Sequence, residues 1–327
     1  MRSWVLPEYI EDVLPAEAER TEALRRVLLD HFMANGYRLI QPPLVEHLES
    51  LLTGTGRDLE LQTFKVVDPL SGRMLGVRAD ITPQVARIDA HLLNEPGVTR
   101  LCYAGSVLRA VPGTSGQTRE VMQIGAELFG EPGIAGDVEV LSLILSALAH
   151  AGVRGLHLDL GHVGVYRALA AGAGIGGTED TDLFAALRAK DAPAVAGLTA
   201  KLPTAWRNAL NALPTLYGPA DEVLATAQAR LPDTPAIRNA LAALAALAQS
   251  AAPNVDASHV DLADLTGYHY HSGAIFSVFT TGEPNSIGRG GRYDGVGKAF
   301  GRARPATGFT LDLRQIAGIV ARETGSA

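Results

Sequence analysis

Cysteine is almost missing: the 327 residues contain one, Cys102. A single thiol excludes an internal disulfide and any metal site built from several cysteines. Long hydrophobic runs are missing too, since "VLSLILSALA" and "ALAALAALA" are too short to cross a bilayer as helices. The amino-terminal "MRSWVLPEYIEDVLPAEAE" has no apolar core of signal-peptide length and turns acidic at once, so a cytoplasmic, membrane-free location is expected. Nor is there a surplus of positive charge: 28 Lys and Arg face 35 Asp and Glu, a net charge of -7. General affinity for a nucleic-acid backbone needs a basic surface, so no nucleic-acid partner is expected, although a local basic patch remains open. No GxxxxGK[ST] loop and no Gly-x-Ser-x-Gly elbow occur, and "GAGIGG" does not follow a strand, which argues against a dinucleotide fingerprint. What is present is 47% hydrophobic and 19% charged residues, the composition of a globular chain with a sizeable core.

The pattern alternates between helical and strand-like stretches. "PAEAERTEALRRVLLDHFMANGY" sets Leu24, Val27, Leu28 and Phe32 at helical spacing, with acidic residues in the first turn and Gly36 as a stop, which predicts a helix. "QTFKVVDPLSGRMLGVRA" reads as a hairpin, and "TPQVARIDAHLL" as a helix with Thr82 as N-cap and Pro83 first inside. "TRLCYAGSVLRA" and "REVMQIGAELFG" read as strands around the flexible "VPGTSGQT". Cys102, inside the first of them, reads as a buried structural thiol. A helix ("DVEVLSLILSALAHAG") and a strand ("LHLDLGHV") follow. From about residue 165 to 251 the chain is rich in Ala and Leu with helical periodicity alone, as an all-helical insertion would be. Strands then return in "HVDLADL", "YHYHSGAIFSVFT" and the Gly/Arg-rich stretch to Leu313, before a last helix, "RQIAGIVARE". The expectation is an α+β fold: a sheet-based domain in two parts, 1–164 and 252–327, interrupted by helices over 165–251.

Chemistry concentrates on one strand. Alternation puts Arg119, Val121, Gln123, Gly125 and Glu127 on one face, and Met122, Ile124, Ala126 and Leu128 on the other, which packs into a core. A carboxylate and an amide two pleats apart, with glycine between, leave room for a small ligand, and they suit an ammonium or amide group. The same alternation also describes the solvent-facing side of an antiparallel strand. His269 and His271 share a face, yet no Cys, Asp or Glu nearby in sequence completes a metal site, so packing or hydrogen bonding is the expected role, with no metal and no cofactor.

Four stretches occur in order: "LPAEAERTEALRRVLLDHFMANGYRLIQPPLVE", "VRADITPQVAR", "LRAVPGTSGQTREVMQIGAELFG" and "GGRYDGVGKAFGRARPATGFTLDL". Together they resemble histidyl-tRNA synthetase over nearly the whole chain. That resemblance implies a class II aminoacyl-tRNA synthetase-like antiparallel sheet flanked by helices, with a helical insertion before the last motif. It implies that Gln123 and Glu127 hold the amino group and ring of histidine, with Asp80 and Thr82 in the same pocket. Tyr268, Tyr270 and His271, in "YHYHSGAIF", match the strand that closes it, and Arg109 matches the arginine on the ATP α-phosphate.

Departures from the synthetase pattern bear on activity. Val111 stands where a glutamate holds adenine, Thr266 where an arginine stabilises the adenylate, and Asp312 and Gln315 where a glycine and an arginine lie over the nucleotide. Loss of preorganised positive groups from such a site typically costs orders of magnitude in rate. Arg314 is one residue from the expected position, and on a strand that shift reverses its facing. No α/β segment for reading an anticodon occurs up to Ala327. The pattern is closer to the family of synthetase paralogues that act as regulatory subunits of ATP phosphoribosyltransferase. What this resemblance implies is a non-catalytic homodimer within a hetero-octamer. Its partner is the short-form catalytic subunit, and histidine is the effector in the first step of histidine biosynthesis. A histidine-activating enzyme and a stand-alone histidine sensor are the alternatives, separable by ATP–pyrophosphate exchange and by any effect on a phosphoribosyltransferase.

Overall fold

The apolar spacing near the amino terminus produces the helix Pro15–Ala34, which turns Leu28, Leu29 and Phe32 inward. Val27, expected on the same stripe, is 38% exposed. The helix stops where Asn35 donates its side-chain amide to the His31 carbonyl and Gly36 takes a positive φ of 86°, a conformation glycine adopts without steric cost. The structure, a computed structural model, describes residues 5–54, 57–112, 118–268, 270–323 and 325.

Two compact units make up the chain. The first comprises Met1–Pro132, Ala147–Val153 and Asp294–Ala327. Its central strand, Glu120–Phe129, pairs antiparallel with Thr99–Leu108 on one side and with Ala306–Asp312 on the other. Arg38–Leu39 adds a parallel edge to Thr99–Leu108, beside the antiparallel pairing that was expected. Met122, Ile124, Ala126 and Leu128 form the inward row on the central strand, and the Phe32 and Phe309 rings meet edge to face at 5.5 Å. The expected hairpin is present as Phe64–Val67 and Met74–Val77, joined in a small antiparallel sheet by Val45–His47. The helix after it begins at Thr82 with Ile81 in the capping position. Thr82 is therefore the first helical residue, not the cap, and its hydroxyl is free to face Tyr103. Cys102 is fully buried on its strand, and burial pushes its thiol up to about 12.

The second unit comprises Gly133–Ser146 and Arg154–Tyr293. Its strands lie in the order Gly288–Arg292, Ala274–Thr280, Leu156–His162, Ala257–Asp261, Tyr217–Pro219. All these pairings are antiparallel except Leu156–His162 with Ala257–Asp261. The predicted helical block is six α-helices running from Val163 to Ala251, interrupted by the short strand Tyr217–Pro219. Proline-led starts help define them: Thr234 accepts a hydrogen bond from the Ile237 amide and Pro235 opens the helix Pro235–Ala251. Close packing fixes the helix Val163–Ala173, where a Cβ on Gly172 would lie 2.2 Å from the Trp206 ring. The expected strand over residues 268–280 begins only at Ala274. Tyr268, Tyr270 and His271 lie in the turns before it, held by their amides to Leu265 and Gly267 carbonyls. His269 lies outside the described residues.

Candidate functional site

In the first unit, the face of Glu120–Phe129 read from alternation is buried, not solvated: Gln123 is 2% and Glu127 1% exposed. Register places Gly105 and Asp312 beside Gln123, Tyr103 and Thr310 beside Gly125, and Leu101 and Gly308 beside Glu127. The Gln123 carboxamide oxygen accepts from the Ile81 amide at 3.1 Å, which ties the strand to the turn that carries Asp80 and Thr82. Asp80 Oδ1 accepts from the Thr82 amide and hydroxyl at 3.2 and 3.4 Å. Thr82 Oγ1 lies 3.3 Å from the Tyr103 hydroxyl, which donates to Glu127 Oε1 at 3.2 Å. The structure thus brings Asp80, Thr82, Gln123 and Glu127 together.

Tyr103 is the residue that reading the sequence missed. A Cβ on Gly125 would lie 2.5 Å from its hydroxyl and 2.3 Å from the Phe309 carbonyl oxygen. The space directly over that glycine is taken by the chain's own phenol. Burial first, then the Glu127 and Asp80 carboxylates, hold this phenol well above its ordinary pKa, so it stays a neutral donor. Its signal was present in "RLCYAG": strand alternation puts Tyr103 and Gly105 on one face, but only the register sets them opposite Gly125 and Gln123. Gly308 has a similar job across the other edge, since a Cβ there would fall 1.6 Å from Glu127 Oε2.

Arg109 lies just beyond the strand Thr99–Leu108, bridged to Thr63. Its Nε is buried and makes no hydrogen bond among the described residues. Asp312 caps the helix Leu313–Glu323, its Oδ1 accepting from the Arg314 and Gln315 amides at 3.0 and 3.4 Å. Burial raises the Asp312 pKa, opposed by those amides and then by the positive charges of Arg109 and Arg314. Arg314 itself is bound to Glu17 and Glu11, at 2.9 Å each. Val111 is 56% exposed.

In the second unit, the three residues predicted to close a pocket belong to an aromatic cluster. Arg167 Nη2 donates to the Tyr268 and His271 carbonyls at 2.6 and 2.8 Å, with its guanidinium 4.8 Å from the Tyr268 ring centre. The Tyr270 ring stacks on Tyr293 at 5.1 Å. His271 Nδ1 faces the Arg292 carbonyl at 3.2 Å, and a carbonyl only accepts, so this nitrogen carries the proton. Burial above all lowers the His271 pKa to about 4. Among the described residues, no group of three His, Cys, Asp or Glu is placed to hold a metal ion.

With this geometry in hand, the likeness to known proteins is specific. A family model described as histidyl-tRNA synthetase matches residues 9–316. The ATP phosphoribosyltransferase regulatory subunit of Ralstonia nicotianae is 59% identical over 319 residues, covering 98% of this chain and 82% of that protein. The protein of the same name from Thiobacillus denitrificans is 58% identical over 316 residues, 97% of this chain and 98% of that one. A crystal structure described as an ATP phosphoribosyltransferase regulatory subunit/histidyl-tRNA synthetase from Bacillus halodurans superposes with a TM-score of 0.85 at 26% identity, covering 97% of this chain and 83% of that one. Histidyl-tRNA synthetase from Nostoc, at 17% identity and a TM-score of 0.77 over all of this chain and 77% of that one, shares the fold. The chain belongs to the family of ATP phosphoribosyltransferase regulatory subunits, built on the histidyl-tRNA synthetase fold.

Proposed function

We propose that this chain is the non-catalytic regulatory subunit of an ATP phosphoribosyltransferase, active in histidine biosynthesis alongside a short-form catalytic subunit. The observation that carries this reading is identity of 54–59% over 97–99% of the chain to proteins named for that role. The charge pattern agrees with a non-catalytic part: Arg314 is held by two carboxylates, and Asp312 sits where the synthetase pattern has glycine. Phosphoryl and nucleotidyl transfer depend on uncommitted cations.

Histidine is the proposed effector, and Asp80, Thr82, Gln123 and Glu127 are its proposed contacts in the first unit. Arg109, Tyr268, Tyr270 and His271 are assigned to the same ligand on the resemblance alone. The proposed assembly is a cytoplasmic hetero-octamer in which this chain is a homodimer. A parsing into 1–164, 165–251 and 252–327 fits the insertion reading of the sequence. An effector shifts a complex between states only through its differential affinity for them. The test is reconstitution with a short phosphoribosyltransferase and assay of the ATP–phosphoribosyl pyrophosphate reaction. Activity that needs this chain and falls with added histidine is the expected result. A catalytic subunit equally active without the chain would refute the proposal.

A further inference from the structure

Arg78 lies in "VRAD", two residues before Asp80, and is 6% exposed. Its Nε donates to the Ser106 carbonyl and its Nη1 to the Pro42 carbonyl, both at 2.8 Å. Nη2 makes no hydrogen bond among the described residues, and no carboxylate there lies within ion-pair distance of the side chain. The carboxylate whose charge acts on Arg78, Glu46, is already bound by Gln84 and Arg87 at 2.7 and 2.6 Å. A buried cation without a paired anion is costly. Burial accordingly lowers the Arg78 pKa from its ordinary value.

The position of Nη2 gives this cost a purpose. A Cβ built on Gly105 would lie 2.3 Å from it and 3.7 Å from the Ile81 side chain. Gly105 is the register partner of Gln123, on the face that also carries Tyr103 and Glu127. One face of one sheet thus holds an uncommitted guanidinium nitrogen at the Gln123 end and the Glu127 carboxylate at the other, with Asp80 joined to Glu127 through Thr82 and Tyr103. Opposite charges set apart on one buried face match a zwitterion.

We infer that Arg78 Nη2 receives the carboxylate of an α-amino acid bound on this face, leaving Asp80 and Glu127 for its cationic and N–H groups. This rests on the reading of the face as a histidine pocket and names a carboxylate partner beside Gln123, apart from Arg109. Guanidinium suits the task because its planar donors match carboxylate geometry. A purely structural Arg78, clamping Ser106 and Pro42, would treat ligands with and without a carboxylate alike.

The experiment uses the full chain and two probes, L-histidine and histamine, which differ by the carboxylate, measured by calorimetry. Wild type should bind histidine at least tenfold more tightly than histamine. Arg78→Met should lower histidine affinity at least tenfold, about 1.4 kcal/mol, and leave histamine affinity within twofold of wild type. Gly105→Ala displaces Nη2 without deleting it and should show the same selective loss, which decides the matter if Arg78→Met does not fold by circular dichroism. Equal losses for both probes, or unchanged histidine affinity, would overturn the Arg78 assignment while leaving the pocket. No histidine binding by wild type would instead defeat the pocket reading, and the assignment with it.

Discussion

The Tyr103 hydroxyl and the Glu127 carboxylate meet at 3.2 Å over Gly125, on a face where neither residue is more than 1% exposed. The contact sets the protonation pattern of the pocket. A neutral phenol donates to Glu127 Oε1, and the carboxylate's second oxygen is Oε2. That oxygen faces the strand Ala306–Asp312, where only a glycine at position 308 leaves space for it.

Removing the carboxylate should therefore remove the cation site and leave the Tyr103 hydroxyl with the Thr82 hydroxyl in place of a carboxylate acceptor. Glu127→Ala is expected to weaken histidine binding at least tenfold, a floor of about 1.4 kcal/mol below the ~2–5 kcal/mol typical of a truncated buried charge pair. Calorimetry beside a circular dichroism spectrum checks it. Wild-type affinity in a folded variant would show that feedback acts elsewhere.

Gly308 gives a second route to the same carboxylate. In Gly308→Ala the new Cβ collides with Glu127 Oε2 and must displace it. Overpacking of this kind costs ~1–3 kcal/mol of stability, and histidine affinity should fall along with the denaturation midpoint. Should the variant bind histidine as wild type does, Glu127 Oε2 is not where the ligand is held.

The isolated chain is expected to show no histidine-dependent ATP–pyrophosphate exchange. Arg314 is neutralised by Glu11 and Glu17, and Asp312 puts a carboxyl group near the positive charge of Arg109. Exchange at a rate near that of a working synthetase would contradict the non-catalytic reading.

Alternation on Glu120–Phe129 was enough to select Gln123 and Glu127, because a period of two is a local property of a strand. Tyr103, Gly308 and Arg78 were not legible, since each acquires its meaning from register or from a long side chain reaching across strands. The misread start of the strand Ala274–Thr280 has a local cause. "TGYHYHSG" alternates aromatics as a strand does, but Gly267, at φ 67°, accepts the Tyr270 and His271 amides and closes a turn. Mixed pairing was hidden for a similar reason: Arg38–Leu39 is two residues long and carries no direction in its sequence.

Self-association is predicted through the surface of Pro15–Pro43. Leu28 and Phe32 are spent on the chain's own core, but Val27, Met33 and Leu39 remain 38–43% exposed. Apolar surface of this kind is what a twofold interface covers. Sedimentation should give a dimer that Val27→Glu with Met33→Glu converts to monomer. A concentration-independent wild-type monomer rules this surface out as a dimer contact.

The second unit should lose stability as the medium turns acidic, because two of its histidines are held neutral. Burial, then the Arg167 charge, lowers the His162 pKa to about 4, and His271 is likewise brought to about 4 by burial. His162 Nδ1 accepts from the Gly164 amide at 3.0 Å, a role open only to the unprotonated nitrogen, and this caps the helix Val163–Ala173. In the unfolded chain both rings titrate near their ordinary value of about 6.5. Between that value and about 4 the unfolded state binds more protons, so stability is fully present above the window and falls as pH drops through it. The loss approaches something on the order of 3 kcal/mol per ring. Asp159, in the same unit, has a pKa raised chiefly by burial, which gives the opposite sign and offsets part of it at the acid end. His162→Asn keeps an acceptor for the Gly164 amide but removes the titration. Urea midpoints compared at neutral pH and at mildly acidic pH should therefore differ less in His162→Asn than in wild type. An identical pH dependence in the two proteins would mean that the His162 ring is protonated in the folded state as readily as in the unfolded one.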